Sequence, residues 1–293
     1  MNKEIISVEG LSKAFDGQNV LHNISANVKS GEIIALLGLN GSGKTTLLET
    51  ILGFCLPEQG LIKIFGSETT VMTDENIKRR IGFVPQQEEL LLSMKVEHYL
   101  YMIGTFYPNW DNALVNRLCE EWAVPSNKII RKLSVGQRQK VAIISALAFS
   151  PELIILDEPV ASLDPKARRQ FLTELINIAD TSQCSIVFST HIVSDVERIA
   201  DRLWLLKEGQ LVLDVEIDEI KESTVRIHLN TEIDYEFLLE DMKLINRRTS
   251  SGHKVLTLSG WNDVVENKWK TEFGNELTIE RLSLEDIFLE MNS

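Results

Sequence analysis

The segment GLNGSGKTT, which begins at Gly38, constrains the fold more than any other part of the chain. It follows the apolar run IIALL and precedes KTTLLETILGF, whose apolar spacing predicts a helix. This order matches G-x-x-x-x-G-K-[ST], a loop whose backbone N–H groups and helix N-terminus hold phosphate oxygens. Lys44 is expected to reach the β- and γ-phosphates, and the Thr45 hydroxyl to ligate magnesium. We therefore predict an α/β fold and a nucleoside triphosphate site formed by Gly38, Asn40, Gly41, Ser42, Gly43, Lys44, Thr45 and Thr46.

Two further apolar runs end in residues that suit phosphate chemistry. LIILD ends at Asp157 and is followed by Glu158, and SIVFST is followed by His191. Parallel buried strands bring their carboxyl ends to one edge of a sheet, where open α/β sheets bind ligands. We expect Asp157 to hold magnesium, Glu158 to polarise a water molecule, and His191 to contact the γ-phosphate and that water. The alternatives are a solvated strand-end charge for Glu158 and a structural histidine for His191.

Gln86 and Phe15 are two additional candidates for the same site. Gln86 follows the strand pattern IGFVP, and a glutamine there can reach magnesium or the attacking water, although Gln87 leaves the register open. Phe15 lies about twenty residues before the glycine-rich loop and can stack on an adenine ring. A core aromatic on a strand is the alternative for Phe15.

The pattern of apolar residues divides the chain into two regions. Residues 1–215 contain alternating strands at the start, a predicted strand pair at GLIKIFG and IGFVP, and a mostly helical stretch over about 94–148. Residues 216–293 contain short strands at TVRIHLN, KVLTLSG and ELTIERL between helical stretches. This second region holds 17 acidic and 9 basic residues, and we predict a small C-terminal α+β domain there.

The charge balance excludes some classes of function. The formal net charge is −13 and no run rich in Lys or Arg stands out, so no nucleic-acid partner is expected. No charge-free apolar run reaches the ~18–20 residues that a membrane helix needs. We therefore expect a cytoplasmic protein that is soluble or is held at a membrane by a partner.

The segment RKLSVGQRQKVAI contains a second arrangement suited to anions, with Ser134 and Gly136 at the start of a predicted helix. Taken together, the ordered motifs resemble those of an ABC-transporter ATP-binding subunit over residues 1–215. The resemblance implies a mixed β core with an antiparallel β subdomain and a helical subdomain. The motifs that carry the resemblance are Gly38–Thr46, Gln86, Leu133–Gln137, Leu153–Glu158, Ser162–Asp164 and His191.

The resemblance implies how the two anion sites are used. Cassettes of this family pair head to tail, so Ser134, Gly136 and Gln137 of one copy would hold the γ-phosphate of the ATP bound to its partner. Asp164 would lie across the same interface. The implied cofactors are ATP and Mg²⁺, with Thr45, Gln86 and Asp157 on the metal. The implied partners are a second copy or a homologous cassette and a polytopic membrane permease, which would place the chain on the cytoplasmic face.

Two further segments indicate a subgroup of this family. SLEDIFLEM, from Ser283 to Met291, is similar to the end of cassettes that export drugs, antibiotics or antimicrobial peptides, and FYPNWD is similar to a segment of a small exporter group. Val135, Leu39 and Val160 depart from the usual family residues, and none removes a catalytic group. The rival interpretation is a soluble ABC ATPase that acts in translation or repair without a transporter.

Overall fold

The computed structural model describes residues 3–68, 74–87, 89–230, 235, 239, 242–250 and 253–291. The chain divides into two units, Met1–Asp214 and Val215–Ser293. The elements up to the boundary are β1 (Glu4–Phe15), β2 (Gln18–Lys29), β3 (Ile33–Leu37), α1 (Lys44–Ile51), β4 (Gln59–Ile64), β5 (Ser67–Glu68), α2 (Glu75–Lys78), β6 (Ile81–Val84), α3 (Val96–Gly104), α4 (Asn112–Glu121), α5 (Val135–Leu147), β7 (Leu153–Leu156), α6 (Pro165–Ser182), β8 (Ser185–Thr190), α7 (Val193–Ile199), β9 (Arg202–Lys207) and β10 (Gln210–Glu216). The elements that follow are α8 (Ile217–Ser223), β11 (Thr224–Asn230), β12 (Lys243–Ser250), β13 (His253–Ser259), α9 (Asp263–Phe273), β14 (Thr278–Arg281) and α10 (Leu284–Met291).

A six-stranded sheet in the order β10-β9-β3-β8-β7-β6 forms the centre of the first unit. Every residue of β3, β7 and β8 is buried, which explains why these strands are continuous apolar runs rather than alternating ones. β3, β6, β7 and β8 run parallel, with Leu37 opposite Thr190 and Leu156 opposite Phe188. The residues after Leu37, Leu156 and Thr190 therefore emerge at the same edge of the sheet, as the sequence predicts.

A separate antiparallel sheet in the order β2-β1-β4-β5 packs its apolar side chains into the same core. The expected strand pair at GLIKIFG and IGFVP is wrong. The first of these segments, β4, pairs with β1 and β5, whereas the second, β6, pairs in parallel with β7. β6 therefore lies in the central sheet, beside a partner that comes from about seventy residues later in the chain.

The predicted helical stretch consists of α3, α4, a short 3₁₀ helix at Ile130–Lys132 and α5. Apolar side chains on the inner faces of these helices, such as Leu118 and Ile143, are fully buried. Asp111 caps α4 by accepting hydrogen bonds from the N–H groups of Ala113 and Leu114. In the part of the chain that the structure describes, no helix combines the length and the apolar character needed to cross a bilayer.

The second unit is built on an antiparallel sheet in the order β12-β13-β11-β14. Its core contains Val225, Ile227, Leu256 and Leu258 from the two central strands and Trp269 from α9. The strands at TVRIHLN, KVLTLSG and ELTIERL are present, and the edge strand β12 adds a strand that the sequence pattern did not predict.

Candidate functional site

The glycine-rich loop packs its backbone too closely for larger residues at two positions. A Cβ atom on Gly38 would lie 2.5 Å from the carbonyl oxygen of Leu206. Gly43 has a φ of 105°, in the region that favours glycine, and its Cβ atom would lie 2.9 Å from Leu21. Lys44 begins α1, and its Nζ donates a 2.9 Å hydrogen bond to the carbonyl oxygen of Gly38. The loop thus holds a buried ammonium group against its own backbone, beside the first turn of a helix.

The first carboxylate of the site, Asp157, directly follows β7 and is buried. It accepts a 2.6 Å hydrogen bond from Thr45 Oγ1 at its Oδ2 atom. The bond joins the helix after the glycine-rich loop to the end of a different strand. The structure therefore brings together the hydroxyl and the carboxylate that the sequence assigns to magnesium.

The second carboxylate, Glu158, is buried and interacts with two predicted site residues. His191 Nδ1 lies 2.9 Å from Glu158 Oε2, and Lys44 Nζ lies 3.4 Å from Glu158 Oε1. Oε1 is buried and accepts no hydrogen bond from the described residues. Glu158 therefore lies between a cation and an imidazole, with one oxygen able to accept a proton.

Ser189 is a site residue that the sequence analysis missed. Its hydroxyl donates a 2.5 Å hydrogen bond to Asp157 Oδ1 and accepts a 2.8 Å bond from the N–H of Glu158. Ser189 is the fifth residue of β8, next to a strand that ends at Leu156. Its position two residues before His191, on a strand expected to be parallel to β7, is the signal that could have identified it.

Nine residues line a cleft of about 330 Å³ beside the glycine-rich loop. Gln86 follows β6 and lines this cleft together with Thr46 and Glu158. The full lining consists of Val20, Asn40, Gly41, Gly43, Lys44, Thr45, Thr46, Gln86 and Glu158. Six of the eight predicted residues of the segment from Gly38 to Thr46, together with Gln86 and Glu158, therefore face one cavity.

Phe15 is not part of that lining. It is the last residue of β1, and its ring is 45% exposed with Lys13 Nζ at 4.8 Å from the ring centre. The exposure argues against the alternative of a core aromatic and leaves a ring face available to a planar ligand.

Ser134, Gly136 and Gln137 lie at the start of α5 and also do not line the cleft. The Ser134 hydroxyl accepts a bond from the N–H of Gln137, and the Gln137 side chain accepts one from the N–H of Ser134, which together form a capping box. A Cβ atom on Gly136 would lie 2.8 Å from the carbonyl oxygen of Ser162. The segment that starts α5 is thus packed against the segment that precedes α6.

Asp164 caps α6, because its side chain accepts 3.0 Å bonds from the N–H groups of Lys166 and Ala167. These bonds hold the pKa of Asp164 below its ordinary value, and the bond from Ala167 has the larger effect. Asp164 is therefore ionised and fixed at a helix N-terminus near Ser162.

The residues around the glycine-rich loop fit a magnesium-bound triphosphate. Ser42 Oγ is buried without a hydrogen-bond partner among the described residues, as is Glu158 Oε1. A hydroxyl donor beside the Lys44 ammonium suits an anion, and a hydroxyl paired with a carboxylate suits Mg²⁺, which prefers oxygen ligands.

Comparison with protein families identifies the origin of this arrangement. The family described as "ABC transporter" matches residues 21–161. A second family, described as an AAA domain and putative AbiEii toxin, matches the shorter segment 129–194. The first match includes the glycine-rich loop, the start of α5 and both carboxylates.

Curated relatives carry similar names. The ABC transporter ATP-binding protein YtrB of Bacillus subtilis is 29% identical over 82% of each chain. The bacitracin transport ATP-binding protein BcrA of Bacillus licheniformis is 31% identical over 74% of this chain and 72% of its own length. The spermidine/putrescine import ATP-binding protein PotA of Thermotoga maritima is 34% identical over 77% of this chain and 62% of its own length. These relatives include an import protein, so the similarity does not fix a direction of transport.

Solved structures show the same fold. The ATP-binding subunit of an ABC transporter superposes with a TM-score of 0.68 at 30% identity, covering 74% of this chain and 92% of that chain. A dimeric structure of a bacterial ABC transporter cassette superposes with a TM-score of 0.66 at 25% identity, covering 72% of this chain and 98% of that one. The predicted α/β cassette fold is thereby confirmed, and the chain belongs to the ATP-binding ATPase subunits of ABC transporters.

Proposed function

We propose that this chain hydrolyses Mg²⁺-bound ATP in a dimer of cassettes and uses the closure of that dimer to drive a separate membrane permease. The observation that carries the proposal is the position of Glu158, between Lys44 at 3.4 Å and His191 at 2.9 Å. Phosphoryl transfer requires mainly positioning and charge neutralisation, and this arrangement supplies both. A purely structural site would not need a buried carboxylate with one oxygen that accepts no hydrogen bond from the described residues.

We assign Thr45, Gln86 and Asp157 to Mg²⁺, and these residues form the metal side of the site. The Thr45 hydroxyl and the Asp157 carboxylate already lie 2.6 Å apart, and Gln86 lines the same cleft. Bound Mg²⁺ neutralises phosphate charge at this position. Lys44 exchanges its bond to the Gly38 carbonyl for phosphate oxygens.

We assign Glu158 and His191 to the attacking water, and these residues form the water side of the site. Glu158 accepts a hydrogen bond from the attacking water and orients it towards the γ-phosphate. His191 stays bonded to Glu158 through Nδ1 and presents its other ring nitrogen to the phosphate. The half-exposed His191 ring supports this role, because a ligand can reach it.

A second cassette completes the nucleotide site. Ser134, Gly136 and Gln137 lie outside the cleft of their own chain, so we assign them to the γ-phosphate bound by the partner. The N-terminus of α5 and the Ser134 hydroxyl suit such an anion. Asp164 lies at the same interface, and Phe15 stacks on the adenine ring of the chain's own nucleotide.

The permease is a polytopic membrane protein that holds the cassette at the cytoplasmic face of a membrane. The names of the relatives support a transport role, and the resemblance of Ser283–Met291 to exporter cassettes together with the bacitracin relative favours export. Purification of the tagged chain from its native membrane tests this assignment. Recovery of a multi-span membrane protein is expected, whereas recovery of ribosomes or repair complexes would support the rival soluble ATPase.

The substitution E158Q tests hydrolysis directly. We expect phosphate release to fall by a factor of about 100 or more, because the neutral amide cannot accept a proton from water. ATP affinity should stay near that of the unmodified chain, because Lys44 and the loop remain. E197Q, which changes an exposed glutamate of α7, is the control and should keep the original rate. Turnover of E158Q within about threefold of the control contradicts the assignment.

A further inference from the structure

Ser189 contacts both acidic residues of the site through a single oxygen atom, at the carboxylate of Asp157 and at the backbone N–H of Glu158. Its hydroxyl donates to Asp157 Oδ1 at 2.5 Å and accepts from the N–H of Glu158 at 2.8 Å. The residue is completely buried, so water cannot replace either bond. Both bonds join β8 to the two residues that directly follow β7.

The bond to the N–H of Glu158 supports an unfavourable backbone conformation. Glu158 has a φ of 47°, in the left-handed region that residues with a Cβ atom rarely adopt. Such a conformation persists only where the surrounding structure holds it in place. The Ser189 oxygen is the acceptor that holds the N–H of Glu158, and this bond fixes the direction in which the Glu158 side chain leaves the strand.

The bond to Asp157 fixes the plane of its carboxylate. Oδ1 accepts from Ser189 and Oδ2 accepts from Thr45, so the carboxylate is held from both sides. When Thr45 turns to a metal, Ser189 is the remaining side-chain hydrogen-bond partner of Asp157 among the described residues. The orientation of the carboxylate towards Mg²⁺ then depends on the Ser189 hydroxyl.

We propose that Ser189 is a positioning residue that fixes both the metal-side carboxylate and the water-side carboxylate through its one hydroxyl. The inference rests on the proposed function, since it assigns a role to Ser189 through Asp157 and Glu158. Ser189 itself is completely buried and does not line the cleft beside the glycine-rich loop. It acts by keeping two neighbouring carboxylates in different and fixed orientations.

The same strand offers a matched control. Ser185 is also completely buried, and its hydroxyl also makes two hydrogen bonds, accepting from the N–H of Gly31 at 3.0 Å and donating to the carbonyl oxygen of Lys29 at 3.1 Å. It begins β8, at the end opposite to His191. S189A and S185A therefore remove the same group from the same strand, and only the first removes it beside the carboxylates.

The test compares these two variants in full-length protein by three measurements. Both should lower the thermal unfolding midpoint similarly, and kinetics are run below both midpoints. S189A should lower kcat by about tenfold to a hundredfold, as expected for the loss of hydrogen bonds to charged or catalytic groups, and should raise KM for Mg²⁺-ATP by no more than several-fold. S185A should keep kcat within about twofold of the unmodified chain.

The third measurement does not depend on turnover. The affinity for a fluorescent ATP analogue is measured with Mg²⁺ and with a chelator. Without the metal, S189A should bind the analogue as tightly as the unmodified chain does. Addition of Mg²⁺ should increase the affinity of S189A several-fold less than that of the unmodified chain, because Asp157 is no longer oriented. S185A should keep the full gain.

Two results would overturn the inference. One is a kcat for S189A within about twofold of that for S185A, and the other is an unchanged contribution of Mg²⁺ to affinity in S189A. Neither result affects the proposed function, which depends on the loss of turnover in E158Q. Failure of the inference and failure of the proposed function are therefore distinguishable.

Discussion

At the scale of single residues, Glu290 is a buried charge of the second unit that is held by three side chains. Arg226 donates a 2.6 Å bond to its Oε1 atom, Asn246 a 2.7 Å bond to its Oε2 atom, and Arg248 Nη2 lies 3.1 Å from Oε1. Burial raises the pKa of Glu290, but the bonds from Arg226 and Asn246 outweigh it and hold the pKa below the ordinary value of 4.5. The carboxylate is thus stable in its charged form, and α10 is bound to the sheet through it.

This pKa shift predicts how acid affects stability. Because the folded pKa lies below the unfolded one, the stabilisation is complete above about pH 4.5 and is lost as pH falls through the folded pKa. The free energy of unfolding is measured by urea titration at several values between about pH 6 and pH 3. As pH is lowered over this range, it should fall more for the original chain than for E290Q. E285Q, at an exposed position of the same helix, should behave like the original chain. Parallel pH profiles for E290Q and the original chain would contradict the prediction.

The residues of the candidate site differ in how visible they are in the sequence. Lys44, Asp157 and Glu158 could be predicted because each occupies a fixed place in a short motif. Ser189 was missed, because a serine on a buried strand belongs to no short motif and its two partners lie 31 and 32 residues away. Its position two residues before His191 was the one signal available. The left-handed backbone of Glu158 is equally invisible, since glutamate has no preference for it.

At the scale of elements, the turn between β9 and β10 supports the glycine-rich loop. The N–H of Gly209 donates a 3.0 Å bond to the carbonyl oxygen of Ser42, and the Gly209 carbonyl accepts a 2.8 Å bond from the N–H of His22. Gly209 has a φ of 73°, and its Cβ atom would lie 2.1 Å from the carbonyl oxygen of Val20. The turn therefore connects β2 to the phosphate-binding backbone at a place where only glycine fits.

The substitution G209A should weaken nucleotide binding. The added methyl group displaces Val20 or the turn, and either shift moves Ser42, so the Kd for ATP should rise by about tenfold or more. Isothermal titration with ATP measures the change.

Gly66 provides the control for G209A. It has a φ of 80°, follows another residue of positive φ as Gly209 does, and has no neighbour within 4 Å of a Cβ atom. G66A should therefore carry the same backbone strain and leave ATP affinity unchanged. Equal affinities of G209A and G66A for ATP would contradict the proposed role of the turn.

The errors in predicting elements have a common cause. Segments β4 and β6 were expected to pair because they are neighbours in the sequence, but β6 pairs with β7, which follows a long helical insertion. β12 was missed because its sequence KLINRRTS is rich in polar residues. Two of these residues, Asn246 and Arg248, contact Glu290, and this contact cannot be read from local periodicity.

At the scale of the whole molecule, the two anion-binding arrangements of one chain do not meet in one cavity. The cleft beside Lys44 contains no residue from the start of α5. Ser134 and Val135 are exposed there, Val135 by 48%, at the N-terminus of a capped helix. An exposed and pre-organised helix N-terminus that lies outside the chain's own cleft is what the proposed composite site between two copies requires.

The most direct test of this claim is the mass of the particle in solution, measured by light scattering with saturating ATP. E158Q should form a dimer, because it binds ATP without hydrolysing it. E158Q/S134R should remain monomeric while it keeps its ATP affinity, because the arginine obstructs the partner's γ-phosphate and not the chain's own loop. E158Q/S182R is the control, since Ser182 is an exposed serine at the far end of α6, and it should dimerise. Thermal unfolding checks that all three variants are folded. A dimer of E158Q/S134R as stable as that of E158Q would then contradict the account.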